Sequence, residues 1–478
     1  MKFMEKMDWT FAKESPTTHV HGLHPYPARM HPPVARKAIE LFARKSGSKI
    51  PLVLDPFCGS GGVLVEARLQ GCNSVGIDIN PLAKLLAEVK SNPIDPLHLQ
   101  EIWREVREDI HNAKSEIRFK KLIESVKKYN FSLYCKETLA SFIENKKENP
   151  RVEGVVKILQ NGISSLGFFL PELDTNFLYW FKPQTILELS LIKHKIDKIE
   201  DEEIRKFFYV CFSKLVREVS GTRKGEFKLY RMPLAKWVKF LPNSFQEFEK
   251  IVETNIAKMG EYYELCKQKK VFDVFSNVFL ADTRKILTDK FPKEGKELLL
   301  GNVDLIVTSP PYGDSRTTVA YGQFSRYSLL WLGFSKEETL EIDKMSLGGN
   351  RKNSKSTELH SQTLRKIIQK VEKKSKSRAR DIKLFFIDLF ECLKSLSHVM
   401  KVGGHACFVL GNRTVKNVKI PTDRILAELG EDVGFKHLTT FERKIVTKRI
   451  PWRSSPSNVP GKTVETISKE SIVILKRK

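Results

Sequence analysis

Between Leu52 and Ala67 the chain reads LVLDPFCGSGGVLVEA: an apolar run, an acid and a proline, glycines at 59, 61 and 62, then a helix-forming stretch. Glycine has no side chain to keep a ligand off the backbone, and it reaches conformations other residues avoid. A strand entering a helix through such a turn predicts a parallel α/β sheet with a ligand at the strand's carboxyl end. The glycines give GxGG, with Val65 near where the third glycine of the dinucleotide pattern GxGxxG would fall.

Two acids narrow the ligand. Asp55, ahead of the turn, would repel a pyrophosphate but accept hydrogen bonds from an ammonium group. Asp78, closing the next strand in GIDINP, is placed to accept from ribose hydroxyls. NAD, FAD and S-adenosyl-L-methionine all carry a ribose, but the one with an ammonium and no phosphate is S-adenosyl-L-methionine.

The α/β alternation extends beyond this turn. PPVARKAIELFARK puts Val34, Ala38, Leu41 and Phe42 on one helical face, GGVLVEARLQG is a helix ending at Gly71, and CNSVGIDI is the second strand. From near Val278, NVFLADTRKI, VDLIVTSPPYG, GGHACFVLGN, LTTFERKI and ESIVILKRK supply five more strands. A helix among them carries Ile382, Phe385, Phe386, Leu389, Leu393 and Leu396 on one stripe, and the whole predicts a doubly wound sheet. From about Ile94 to about Val271 the pattern is helical and charged, with Ile204, Phe207, Phe208, Cys211 and Leu215 on one face. So long a crossover predicts an insertion. The expected division is residues 1–93 and 272–478 as two parts of one catalytic domain, the first cofactor-binding, with 94–271 an inserted helical domain. The basic run from Arg365 to Arg380 reads as a phosphate-contacting or mobile loop.

With 82 Lys+Arg against 57 Asp+Glu, a net charge of +25 calls for a polyanionic partner, nucleic acid first and an anionic membrane surface second. No apolar stretch approaches the roughly 20 residues that span a bilayer, and the opening MKFMEKMDWTFAKE lacks a signal-peptide core, so a cytoplasmic setting is expected. The seven cysteines form no CxxC pair, against a zinc finger.

TSPPYG, Thr308–Gly313, ends the strand VDLIV. With FCGSG at Phe57–Gly61 and SPPY at Ser309–Tyr312, the chain resembles the amino-methyltransferases of DNA, whose sheet carries FxGxG after its first strand and [DNS]PP[YFW] after its fourth. The resemblance covers both sheet regions. It implies a Rossmann-like α/β fold, a seven-strand methyltransferase sheet with a large, mainly helical insertion. It implies S-adenosyl-L-methionine as cofactor, base flipping from duplex DNA, and a restriction-modification system whose cognate endonuclease acts on the same site. Asp282 in ADTRKI matches an acid that approaches the cofactor's adenine, and HPYPARMHP looks like the element before the first strand, adding Tyr26, Pro27 and Arg29. With Asp55, Phe57, Gly59, Gly61, Asp78 and Ile79 these form the expected cofactor set.

The catalytic set is Ser309, Pro310, Pro311 and Tyr312. An exocyclic amine is a poor nucleophile because its lone pair is delocalised. Acceptors at Ser309 Oγ and the Pro310 carbonyl can take its hydrogens, two prolines keep the loop stiff, and Tyr312 offers a face for a flipped base. Within the family TSPPY is typical of N4-cytosine enzymes, while DPPY and NPPY belong mostly to N6-adenine enzymes. The insertion lies where one subgroup has its target-recognition domain, although many N4-cytosine enzymes place SPPY before the cofactor turn. N6-adenine methylation remains an alternative. So does tRNA guanine-N2 methylation, whose enzymes share DPFCGSGGVLVEA…VGIDINP but carry aspartate for Ser309 and a longer RNA-binding segment ahead of the turn.

Three weaker features complete the reading. GTRKGEFKLYRMPLAKWVKF mixes Arg223, Lys224, Lys228 and Arg231 with Tyr230 and Trp237, which suits a phosphate-tracking surface. GDSRTTVAYGQFSR follows the catalytic tyrosine as a polar segment that could close over a base, with Arg316 and Gln323 as DNA contacts. His19, His21, His24 and His31 match no tetrahedral spacing and have no cysteine or close carboxylate in sequence, so no metal is expected and they read as solvated or cofactor-adjacent.

Overall fold

The computed structural model describes residues 7–133, 150–172, 175–314, 318–349, 357–445, 453–454, 464–465 and 467–478. The seven predicted strands form one sheet: β1 (Leu52–Asp55), β2 (Asn73–Asp78), β3 (Ser276–Leu280), β4 (Val303–Thr308), β5 (Met400–Leu410), β6 (Phe435–Lys444) and β7 (Lys469–Arg477). Their spatial order is β3-β2-β1-β4-β5-β7-β6, parallel except for β7, which is antiparallel to both its neighbours. Central β1 and β4 are buried along their whole length, as strands covered on both faces must be.

The chain runs outward from β1 to β2 and β3, then returns to place β4 on the other side of β1. That reversal opens a crevice beyond the carboxyl ends of β1 and β4, the place where open α/β sheets hold ligands.

Helices α1 (Pro32–Phe42), α2 (Gly62–Leu69) and α3 (Pro81–Ser91) belong to the first part of the sheet domain. On α1, Val34, Ala38 and Phe42 are buried as predicted, but Leu41 is only half-buried and Ile39 takes the core position. Gly71 follows α2 in the left-handed region, φ 70°, where a helix end favours glycine.

Between α3 and β3 the described residues are mainly helical, including α4 (Glu202–Val219) and α5 (Ser244–Lys269). Ile204, Phe207, Phe208, Cys211 and Leu215 of α4 are all buried. Their apolar cluster is continuous with Val65 and Leu69 of α2, Leu82 and Leu86 of α3, and Phe324 and Trp331 of α6 (Tyr321–Trp331). The helical region therefore packs directly on the helices that carry the cofactor turn.

The basic stretch 365–380 is helix, not loop. It contributes most of α7 (Gln362–Glu372) and the start of α8 (Lys376–Val399). Leu364, Ile367 and Val371 recur at helical spacing and bury one face, while Ser361 caps the first turn by accepting from the Leu364 N–H at 3.0 Å. Arg365, Lys366 and Lys370 are the solvated face of that amphipathic pattern, whereas Lys374 and Arg378 line the crevice beyond β1 and β4. Among the described residues no helix is long and apolar enough to cross a membrane.

Candidate active site

The crevice opens into a cleft of about 2020 Å³. Asp55, 3% exposed, accepts from Thr308 Oγ1 at 2.6 Å and from the Phe57 N–H at 3.2 Å. Burial pushes its carboxyl up to about 7; those two bonds pull the other way and the nearby Asp78 charge adds to the rise. Asp78 accepts from the N–H groups of Gly59 and Asn80, both at 2.9 Å, and burial lifts it to about 6 against those bonds. A buried and a half-buried carboxyl at the ends of adjacent strands form a site ready for a cation or for hydroxyl donors.

Gly59 adopts φ 48°, and a Cβ there would lie 3.2 Å from the Tyr26 ring. Tyr26 accepts from Asn80 Nδ2 at 3.3 Å and stacks on Tyr321 with centroids 6.1 Å apart. Pro27, Arg29, Phe57, Ile79 and Asp282 line the same cleft. Arg29 donates to the His21 carbonyl at 2.6 Å, and Asp282 accepts from Arg284 Nη2 at 2.7 Å. Gly61, expected against the cofactor, serves another need. Its φ is 79°, and a Cβ there would fall 2.7 Å from Ala87 Cα, so its bareness lets α2 approach α3.

The loop after β4 brings Ser309, Pro310, Pro311 and Tyr312 to this cleft. Ser309 Oγ lies 3.3 Å from the Tyr312 hydroxyl, which donates to Glu470 Oε1 at 2.8 Å. Burial first, and the Glu470 charge second, hold the Tyr312 phenol well above its ordinary range, so it is neutral. Beyond it, buried Asp314 accepts from Arg413 at 2.9 Å and lies 3.5 Å from Arg378. Gly313 is bare because a Cβ there would meet the Arg413 guanidinium.

The expected nucleic-acid contacts divide. Lys228 and Tyr230 line the cleft. Arg223 and Lys224 are exposed away from that lining, with Lys224 paired to Glu218 at 2.7 Å. The Arg231 guanidinium lies over the Tyr179 ring, 4.1 Å from its centre. Trp237 is fully buried, a core residue instead of a surface platform. Gln323 sits on α6, where it accepts from the Leu229 N–H at 3.3 Å and fastens the helix to the basic segment. Arg316 lies outside the described residues.

The four N-terminal histidines are buried, not solvated, although His21 and His31 do line the cleft. A carboxylate distant in sequence reaches them: His21 Nε2 is 2.9 Å from Glu66 Oε1, and ligand atoms of His19, His21 and Glu66 lie within 4.8 Å of one another. Such a trio can face a metal ion. However, Arg36 Nε is 3.7 Å from the other Glu66 oxygen, and Lys90, Arg29 and Arg36 all press positive charge on His21, which opposes a further cation. Burial lowers His19 to about 4 and His21 well below its usual range, leaving both neutral.

Sequence reasoning missed Tyr321 and Glu470 at the cleft, and Thr308 buried behind Asp55. Thr308 adjoins the SPPY tetrapeptide and could have been read as its anchor. Glu470 carries no local signal, since only the pairing of β7 with β5 brings it near.

Residues 4–88 match the N6_N4_Mtase family of DNA methylases. The chain is 34% identical over 470 residues to the type II methyltransferase M.MvaI of Kocuria varians, covering 95% of this chain and 90% of that protein. It is 27% identical to the type II methyltransferase M.MjaII of Methanocaldococcus jannaschii, covering 73% of this chain and 70% of that one. A tRNA (guanine(10)-N2)-dimethyltransferase of Methanothermobacter thermautotrophicus is 49% identical over 55 residues only, 12% of this chain and 16% of its own length.

Proposed function

The chain belongs to the DNA amino-methyltransferases, with a type II methyltransferase as a relative along nearly its whole length, and from that premise we propose that it methylates the exocyclic N4 amine of cytosine at a specific site in duplex DNA. The family's methyl donor is S-adenosyl-L-methionine, which supplies an electrophilic methyl group when bound. The residues present fit it. Asp55 would take the ammonium and Asp78 the ribose hydroxyls, while the bare backbone at Gly59 lets the ligand lie against the turn under Tyr26.

The observation that carries the reading is the 2.6 Å bond from Thr308 to Asp55. It ties the end of β4 to the end of β1, so the donor's seat and the SPPY loop are held in one frame, as transfer between two bound groups requires. Ser309 Oγ and the Pro310 carbonyl accept the two amine hydrogens and turn the nitrogen lone pair toward the methyl group. Tyr312 stacks on the flipped base. With the donor bound, its methyl group would pass from sulfur to the amine nitrogen, and the proton that nitrogen gives up would pass to solvent. Serine at position 309 favours cytosine over adenine by the family correlation.

The helical region 94–271 is proposed as the part that reads the target sequence, supported by the reach of Lys228 and Tyr230 into the cleft. The excess of cations, +25 in all, suits phosphate tracking. A restriction endonuclease acting on the same site is the proposed partner, and the cytoplasm the proposed compartment.

The test offers purified protein labelled S-adenosyl-L-methionine with duplex DNA and tRNA separately, followed by nucleoside mass spectrometry. N4-methylcytosine in DNA is expected. N6-methyladenine would keep the mechanism and reject the base. Label in tRNA alone would overturn the reading and give weight to the local likeness over 55 residues.

A further inference from the structure

Glu470 lies in none of the motifs that carry the family resemblance, yet it meets the catalytic loop. It is the second residue of β7, where its register partner across the ladder is Arg443 on β6. Arg443 Nη1 is 3.1 Å from Glu470 Oε2, and the guanidinium is buried, so that oxygen is committed to the ion pair. The other oxygen accepts the Tyr312 hydroxyl proton at 2.8 Å. Directly after β5, Gly411 makes room for this arrangement, since a Cβ there would stand 2.8 Å from the Tyr312 ring.

The direction of these bonds has a chemical consequence. A phenol has one proton, and a carboxylate can only accept, so Tyr312 must donate to Glu470. The Tyr312 oxygen then faces Ser309 Oγ, 3.3 Å away, as an acceptor only. Ser309 must turn its own proton toward Tyr312, which leaves its lone pairs for an incoming amine. A serine hydroxyl is otherwise ambiguous, able to donate or accept. We propose that Glu470 is a positioning residue that, through Tyr312, fixes Ser309 as a hydrogen-bond acceptor for the substrate amine. This rests on the reading of Ser309 as an amine acceptor given above.

The sharpest test is Glu470→Gln, which keeps size and removes the acceptor-only character. With Arg443 claiming the amide oxygen, the amide NH₂ faces Tyr312 and reverses the chain, so that Tyr312 donates to Ser309. The expected result is a ten- to hundredfold lower kcat on duplex DNA, with the Kd for S-adenosyl-L-methionine, the KM for DNA and the melting temperature near wild type. Tyr312→Phe, which keeps the stacking face, should lower kcat similarly, and the double variant should be no worse than Tyr312→Phe alone. Wild-type kcat in Glu470→Gln, or losses that multiply in the double variant, would overturn the proposal. Ser309→Ala separates the two levels: if that variant stays active, the acceptor reading itself fails, whereas an inactive Ser309→Ala beside a fully active Glu470→Gln fails Glu470 alone.

Discussion

The loop after β1 and the loop after β4 leave adjacent strands and face one cleft, yet they are built from opposite materials. The first gains its shape from glycines in the left-handed region, Gly59 and Gly61, and it surrounds two carboxyls whose burial raises them to about 7 and about 6. The second has two prolines that remove backbone freedom, and it is fastened at its far end by the buried Asp314–Arg413 contact of 2.9 Å. On the proposed function, one loop would let a ligand come close and strengthen its attraction by poor solvation, and the other would hold acceptors rigid. The difference then makes binding and turnover separable, because each would depend on a loop that fails in its own way.

The largest expected effect breaks the second loop only. Ser309→Ala should lower kcat by roughly a hundred- to a thousandfold, as removal of one preorganised group does elsewhere, while calorimetry finds cofactor affinity unchanged. A matching loss of cofactor binding would show that the loops are not independent. The next effect belongs to the first loop. Gly61→Ala introduces a Cβ 2.7 Å from Ala87 Cα at φ 79°. Left-handed strain and overpacking together should lower stability by about 2–4 kcal/mol, read from urea unfolding. Gly62→Ala, with nothing within 4 Å of the added atom, is the control and should unfold like wild type. Equal losses in both would remove the packing role given to Gly61.

The two loops also differ in how well they could be read. The central strands β1 and β4 were legible because strands buried in a parallel sheet appear as unbroken apolar runs, and the glycine turn and SPPY are local signatures. What escaped is what the fold brings together. Gly61 reads as a ligand glycine until the nearness of Ala87 is known. Glu66 stands far in sequence from His21, and Glu470 far from Tyr312, so no window of sequence pairs them. Trp237 looks like a surface aromatic among lysines, and only its burial shows that the basic segment is anchored through it. The run 365–380 reads as a loop because its lysines and arginines outnumber the buried Ile367, Val371 and Ala379 that fix the two helices.

Smaller effects probe the link between the loops. Asp55 titrates near 7 because it is buried, and an ammonium partner would favour its charged form. Cofactor affinity should therefore be full above pH 7 and fall as the carboxyl protonates, about tenfold between pH 8 and pH 6. Asp55→Asn should lose most of this slope, leaving the shallower dependence of Asp78 near 6. An undiminished slope in that variant would take the ammonium away from Asp55.

Thr308→Val is the finest test, since it removes one hydroxyl and almost no volume. Thr308 donates to Asp55 at 2.6 Å, and such a bond favours the carboxylate over the acid. Without it, burial acts with less opposition, and the midpoint for cofactor binding should move up by about one pH unit, from the roughly 1.5 kcal/mol a bond to a charged group contributes. At pH 8 that is about a twofold loss of affinity, and at pH 6 nearly tenfold beyond the wild-type loss. Thr308→Ser keeps the donor and should keep the midpoint. If valine leaves the midpoint in place, the bond holds the two strand ends together without tuning the acid, and the loops share a frame but not their electrostatics.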